Sequence, residues 1–247
     1  MTDPSVVSEQ QLRRQVEWLK GSWTWLLRTK VLGPEGEGRR LEALDVGCGP
    51  GLVMEELGAI FEVQGLDRDE SMVEKCHQKG LTVVQGEAEE MPFEDNSFDM
   101  VYCSFLLLWV KEPERVVREM KRVSRRWVVC LAEPDLGGRI DHPSTLIELK
   151  GLLIEGMLRQ GADPLVGRKL SELFRTAGLD PEVGAHPGGW NIGSPEDSDQ
   201  EWRNLSQMIG LGMEDRRVTE LERAWKEAAT HGTLFQYNPI FYAIARK

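Results

Sequence analysis

The 247-residue sequence has no excess of positive charge: 30 Lys and Arg stand against 41 Asp and Glu, a formal net charge of −11. Nucleic-acid binders draw much of their affinity from neutralising phosphates, so a basic excess or stripe is their usual mark. Here Arg13-Arg14, Arg39-Arg40 and the group from Lys121 to Arg126 are small and scattered. The last of these alternates with apolar residues, as on the solvated end of a helix. A nucleic-acid partner is therefore disfavoured. Long apolar runs are missing as well. Val101 to Val110 falls far short of the roughly 20 residues a membrane span requires. Met1-Thr2-Asp3-Pro4 lacks the basic-then-apolar pattern of a secretory signal, so no membrane partner and a cytoplasmic location are expected. Cysteine is sparse. No pair among Cys48, Cys76, Cys103 and Cys130 has the short spacing of a zinc site, so no metal is expected. Three of them lie in or beside apolar runs, where a thiol packs as a small hydrophobe. Internal repeats and low-complexity tracts are absent.

From Leu41 onward short apolar runs alternate with helix-like stretches, the pattern of an α/β fold with a mainly parallel sheet. Strands are expected at 41–46, 61–66, 81–84, 98–103, 127–132, 182–185 and 240–245. Helices are expected at about 52–59, 70–79, from Pro113 onward, 144–159, 166–177 and as one stretch over 198–229. Pro113 suits a first helical position. Val116, Val117, Met120 and Val123 then form an apolar stripe, and Glu114 with Arg118 supports the opposite face. Gly178 suits a C-cap. An N-terminal helix opens on a capping box, Ser8 with Gln11, and carries Leu12, Val16, Leu19, Trp23 and Leu26 at helical spacing.

In an open α/β sheet, ligands sit beyond the carboxyl ends of the strands. After the first strand comes Asp45-Val46-Gly47-Cys48-Gly49-Pro50-Gly51. Glycines at alternate positions allow a tight turn and a close approach of ligand to backbone. The dinucleotide fingerprint needs a third glycine where Leu52 or Met54 stands, and no P-loop sequence occurs anywhere. The turn thus favours a ligand without a pyrophosphate, and argues against an NAD-dependent oxidoreductase. After the second strand comes Asp67, 20 residues beyond Gly47. Its carboxylate can accept from the two hydroxyls of a ribose. It could also cap the next helix, a task that Asp69 can perform instead. After the third strand, Gly86-Glu87-Ala88 offers a carboxylate and backbone N–H groups to an adenine ring.

Taken together these residues resemble the class I S-adenosylmethionine (SAM)-dependent methyltransferases, in particular the type 11 group that includes the ubiquinone/menaquinone-biosynthesis enzymes. The likeness covers Leu41 to Ala132 in order and spacing. It rests on Leu44 to Gly51, Gly65-Leu66-Asp67, Gly86 to Phe93, and Asn96-Ser97-Phe98-Asp99. It implies a Rossmann-like, seven-stranded, mainly parallel sheet with an antiparallel last strand and helices on both faces. It implies one domain: an N-terminal helical cap (1–40), a cofactor-binding core (41–187), a helical insertion or lid (188–230) and a terminal strand (231–247). It also implies that SAM is the cofactor and S-adenosylhomocysteine the product. Asp45, Gly47, Cys48 and Gly49 would then line the methionine part, and Asp67 would hold the ribose. Arg68, Met72, Glu87 and Ala88 would surround the adenosine, and Ser104 would lie near the sulfonium. Many relatives carry Asp where Glu87 stands.

Methyl transfer from a sulfonium is an in-line displacement that needs a base only when the acceptor must lose a proton. No catalytic dyad is evident. Substrate-side candidates are Trp109 as a pocket wall or core residue, Glu133 and Asp135 after the fifth strand, and His142 as a base or a plain loop residue. Trp18, Trp23, Trp25, Trp190 and Trp202 could form a lid; for Trp23, on the apolar stripe, packing against the sheet is the expectation. This lid-like content favours a small-molecule acceptor. A protein or tRNA methyltransferase and a non-catalytic SAM-binding module are the alternatives.

Overall fold

A computed structural model describes residues 9–32, 39–187, 195–210 and 215–247. Five parallel strands, β1 (Glu42–Val46), β2 (Glu62–Asp67), β3 (Val83–Gln85), β4 (Phe98–Ser104) and β5 (Ser124–Pro134), form most of one sheet. β7 (Glu182–Ala185) and β9 (Ile240–Arg246) complete it, in the order β3-β2-β1-β4-β5-β9-β7. β9 runs antiparallel to both of its neighbours. The seven-stranded, mainly parallel sheet with an antiparallel last strand is thus present. β4 is buried along nearly its whole length, as a central parallel strand covered on both faces must be.

Two apolar clusters cover the two faces of the sheet. On one face lie α4 (Pro113–Val123), α5 (Leu149–Arg159) and α6 (Leu170–Thr176), joined by α7 (Pro195–Ile209) and α8 (Arg216–Thr230). Pro113 opens α4, and Val116, Val117, Met120 and Val123 are the side chains it buries. Burial of each contributes about 1.5–3 kcal/mol. Glu114 and Arg118 pair at 3.7 Å on its exposed face. On the other face α1 (Glu9–Leu27) buries Leu19, Trp23, Leu26 and Leu27. His186 pins this helix to the sheet. Its Nε2 lies 2.6 Å from the Leu131 carbonyl, which can only accept, so Nε2 carries the proton and Nδ1 accepts from Ser22 Oγ at 2.6 Å. Burial holds the His186 pKa below its usual value, which keeps this arrangement neutral.

Three expectations differ from the structure. The stretch 198–229 is two helices, α7 and α8, and the intervening residues 211–214 lie outside the described residues. The helices expected from 144 and 166 begin as 3-10 turns, with α5 proper starting at Leu149 and α6 at Leu170. A second, two-stranded antiparallel sheet pairs β6 (Ile140–His142) with β8 (Phe235–Tyr237), which the sequence reading did not anticipate. Ser8 of the expected capping box and Trp190 lie outside the described residues. The Gln11 side chain instead accepts from Asn204 Nδ2 of α7 at 2.6 Å. Among the described residues no helix is long and apolar enough to cross a membrane.

Candidate active site

The turn after β1 is made by backbone. Gly47, Gly49 and Gly51 have φ of 70°, 51° and 79°, all in the left-handed region that favours glycine. The N–H groups of Gly47 and Cys48 both donate to the Leu66 carbonyl, which fastens the turn to the end of β2. A Cβ on Gly47 would meet Leu106 Cδ1 at 2.6 Å, whereas a Cβ on Gly49 would meet nothing within 4 Å. Open space therefore faces Gly49, bounded by the ends of β1, β2 and β4.

Asp67 stands at the end of β2. Its Oδ2 accepts from Gly49 N–H at 2.7 Å and its Oδ1 from Asp69 N–H at 2.9 Å. Capping of α3 (Glu70–Gln78) falls to Asp69, whose Oδ1 accepts from Ser71 N–H at 2.8 Å. Each Asp67 oxygen keeps a further acceptor site for a ligand hydroxyl. Burial raises the Asp67 pKa, against the lowering effect of the two N–H donors.

Asp45 lies on β1 just before the turn and is 2% exposed. Burial is the main reason its pKa is raised well above the usual carboxylate value. The Tyr102 hydroxyl faces it, outside the geometry of a well-formed hydrogen bond, and both Asp45 Oδ2 and Tyr102 Oη are unpartnered. At the end of β4, Ser104 Oγ is also buried without a partner. Buried polar atoms are rarely left unpaired, so such atoms at one strand edge mark a place where a polar ligand fits. The structure thus brings Asp45, the glycine turn, Asp67 and Ser104 to the same edge of the sheet. Glu87 follows β3 and is exposed, with Ala88 half-buried beside it. Arg68 is exposed and Met72 half-buried at the start of α3.

The substrate-side candidates separate. Glu133 has no exposed surface. Its Oε1 accepts from Leu106 N–H at 2.9 Å and Leu107 N–H at 2.6 Å, so it holds the loop after β4 in place. Burial pushes its pKa up to about 8 despite these donors. Cys103, Cys130 and Glu133 bring their ligand atoms within 4.8 Å of one another inside the sheet. All four cysteines are free and buried. Trp109 is half-buried and packs on the core cluster. Asp135 is buried and pairs with Arg168 at 2.6 Å, which makes it a brace rather than a free acid. His142 is exposed on the outer side of the β6–β8 ribbon. Trp23 is in the core as expected, Trp25 is exposed, and Trp202 stacks on Trp225 at 5.8 Å between α7 and α8.

Sequence reading missed a contact between the first helix and the helices before the last strand. Gln11 of α1 and Asn204 of α7 are both buried where they bond, so the two helices touch at this point. Arg14 of α1 adds ion pairs with Asp197 and Glu201 of α7 at 3.9 and 3.8 Å. An S/T/N/Q pair almost two hundred residues apart leaves no local pattern by which to find it. A separate groove of about 790 Å³ between the turn after His142 and α8 is lined by Ile147, Leu221, Ala224 and charges of both signs, and none of the strand-end residues contributes to it.

Residues 44–130, which hold the glycine turn, Asp67, Glu87 and Ser104, match the methyltransferase domain family Methyltransf_11. This segment is similar to the methyltransferase domains of the type 11 group. A demethylmenaquinone methyltransferase of Staphylococcus aureus is 37% identical to the chain over 115 residues, 42% of this chain and 48% of that protein. The chain thus spans about half the length of the curated relatives it matches. Among solved structures, a Bacillus halodurans protein described as a methyltransferase superposes with a TM-score of 0.63 at 17% identity, covering 92% of this chain and 99% of the other. Phosphoethanolamine N-methyltransferase 2 of Haemonchus contortus, solved with phosphomonomethylethanolamine and S-adenosylhomocysteine, has a TM-score of 0.57 at 17% identity, covering 97% of this chain and 57% of the other. At such identities the structural likeness establishes the fold alone.

Proposed function

We propose that this methyltransferase domain binds SAM at the C-terminal edge of its sheet and transfers the methyl group to a small-molecule acceptor. The observation that carries the reading is Asp67. Its carboxylate is tied to Gly49 N–H, retains acceptor capacity, and borders the open space in front of Gly49. In this reading the backbone of Gly47, Cys48 and Gly49 and the Asp45 carboxyl receive the methionine part, and Asp67 receives the ribose. Arg68, Met72, Glu87 and Ala88 border the adenosine, and Ser104 Oγ faces the reacting end. When bound, SAM supplies a methyl group on a sulfonium, an electrophile that needs no metal or protein nucleophile. The chain's own work is to orient an acceptor and to exclude water, a task that suits the helices joined by Gln11 and Asn204. The same helices, and the small-molecule substrate named for the Staphylococcus aureus relative, support a small acceptor. We assign α1 and the α7–α8 pair as a lid on a single domain.

Thermal stabilisation by SAM, S-adenosylhomocysteine and NAD, measured in parallel, tests the cofactor. A ligand at about 100 times its Kd adds roughly 2.7 kcal/mol of apparent stability. A shift with both SAM-type ligands and none with NAD is expected. A shift with NAD alone overturns the reading. Asp67→Ala should remove most of the SAM shift, and an unchanged shift would remove Asp67 from the site.

A further inference from the structure

The β6–β8 ribbon is inside out. Ile140 and Phe235 are 55% and 52% exposed on its outer side, whereas Arg139, Asp141 and Gln236 are buried on its inner side. Asp141 lies directly opposite Gln236 in the antiparallel register. The ribbon leaves β5 through Asp135 and enters β9 through Pro239, and Asp135 N–H donates to the Pro239 carbonyl at 3.0 Å. It therefore stands at the C-terminal end of β5, on the same edge of the sheet as the glycine turn and Ser104.

The buried charges on the inner side compensate each other. Arg139 Nε donates to both Asp141 oxygens at 3.0 Å. Arg139 NH2 donates to Gln236 Oε1 at 2.8 Å. A guanidinium has donors and no acceptor, so this contact fixes which way round the Gln236 amide sits: oxygen toward Arg139, nitrogen away. The result is a pre-oriented NH2 group, 4% exposed as a residue, whose Nε2 has no partner. An amide N–H held in this direction suits an oxygen atom with a free lone pair, and an ammonium has none to offer.

We propose that Gln236 Nε2 recognises an oxygen of the methyl acceptor, and that the acceptor is a neutral, carbonyl-bearing molecule rather than an amine. Arg139 and Asp141 are positioning residues that hold the amide. This inference rests on the methyltransferase reading, because it takes this edge of the sheet as the acceptor site.

The test measures equilibrium binding by tryptophan fluorescence, with and without S-adenosylhomocysteine, for three probes: 2,3-dimethyl-1,4-naphthoquinone, its oxygen-free counterpart 2,3-dimethylnaphthalene, and histamine. The quinone should bind at least tenfold tighter than the hydrocarbon, and histamine should bind weakest. Gln236→Glu keeps the bond to Arg139 and removes the donor. It should bring the quinone-to-hydrocarbon ratio to near one while the S-adenosylhomocysteine thermal shift stays unchanged. Gln236→Met, which removes the amide at similar length, serves if Gln236→Glu does not fold. A tenfold preference that survives in either variant, histamine binding as tightly as the quinone, or no binding of the quinone overturns the proposal. Failure of S-adenosylhomocysteine to stabilise the native protein is a separate result that overturns the cofactor reading, and the probe ratio in its absence still decides the role of Gln236.

Discussion

The two edges of one sheet are electrostatically opposite. At the edge where the parallel strands begin, Asp99 at the start of β4 is 1% exposed and fully served. Its oxygens accept from Arg39 NH1 and NH2 at 2.8 Å, from Arg125 at 3.0 Å and from Glu42 N–H at 3.0 Å. Burial works against its charge, yet these donors outweigh it and hold its pKa at about 2. At the edge where the strands end, Asp45, Asp67 and Glu133 all have raised pKa values, each chiefly because of burial. Unpartnered polar atoms of Asp45, Ser104 and Glu133 lie there too. One edge has met its demands inside the protein, whereas the other leaves demands that a ligand can meet. Perturbed acids gather at functional sites for this reason.

The largest expected effect tests the ligand edge through pH. Glu133 has a folded pKa of about 8 against an ordinary value of 4.5, so the folded state holds a proton that the unfolded chain has lost. Its contribution is present below the unfolded value and is lost as pH rises toward 8, at up to about 1.4 kcal/mol per pH unit. Denaturant titrations of the native protein and Glu133→Gln between pH 5 and 8.5 should show the variant gaining relative stability as pH rises. Parallel curves would mean that Glu133 is not a strained acid. Next comes Asp99→Asn, which should cost about 2–3 kcal/mol at neutral pH by leaving Arg39 and Arg125 without their shared carboxylate. Because the Asp99 pKa is depressed, the native protein should itself lose this contribution as pH falls from about 4 through about 2. The SAM shift should be unaffected by this substitution; a lost shift would blur the distinction between the edges.

Gly49→Ala should cost about 1 kcal/mol of stability, since φ is 51° but a Cβ there meets no protein atom. It should nonetheless weaken SAM binding at least tenfold, read as a reduced thermal shift at fixed ligand. Ser104→Ala is the mildest. Removing a hydroxyl that already lacks a partner should change stability by less than about 0.5 kcal/mol. A loss of SAM affinity with no loss of stability would place Ser104 among the ligand contacts.

The ligand edge was legible in the sequence where backbone builds it. Glycine spacing, the carboxylate of Asp67 after the second apolar run and helix-opening residues such as Asp69 and Pro113 are local signals, and the strands of the core lie where the short apolar runs placed them. Asp99 was legible as a motif residue, but its place at the opposite edge was not, because its partners Arg39 and Arg125 come from distant segments. The β6–β8 ribbon was the least legible. β6 is three residues long and pairs with β8 about 95 residues away, and its pattern turns polar side chains inward against the usual rule. Glu133 shows the same limit: its type drew attention as a possible substrate group, while its role in holding Leu106 and Leu107 depends on burial that no spacing reveals.

The placement of β9 between β5 and β7 bears on the order in which the molecule is made. Adjacent strands of the β1–β5 core are close in sequence or separated by a single crossover, so this half can assemble as it emerges. Among the described residues β7 pairs in the sheet with β9 only, and β5 has no strand neighbour on that side until β9 arrives. During synthesis the core therefore carries an open edge at β5. Because the β6–β8 ribbon also closes over a long loop, the ribbon side is completed last, after the half that holds the glycine turn and Asp67 is already in place.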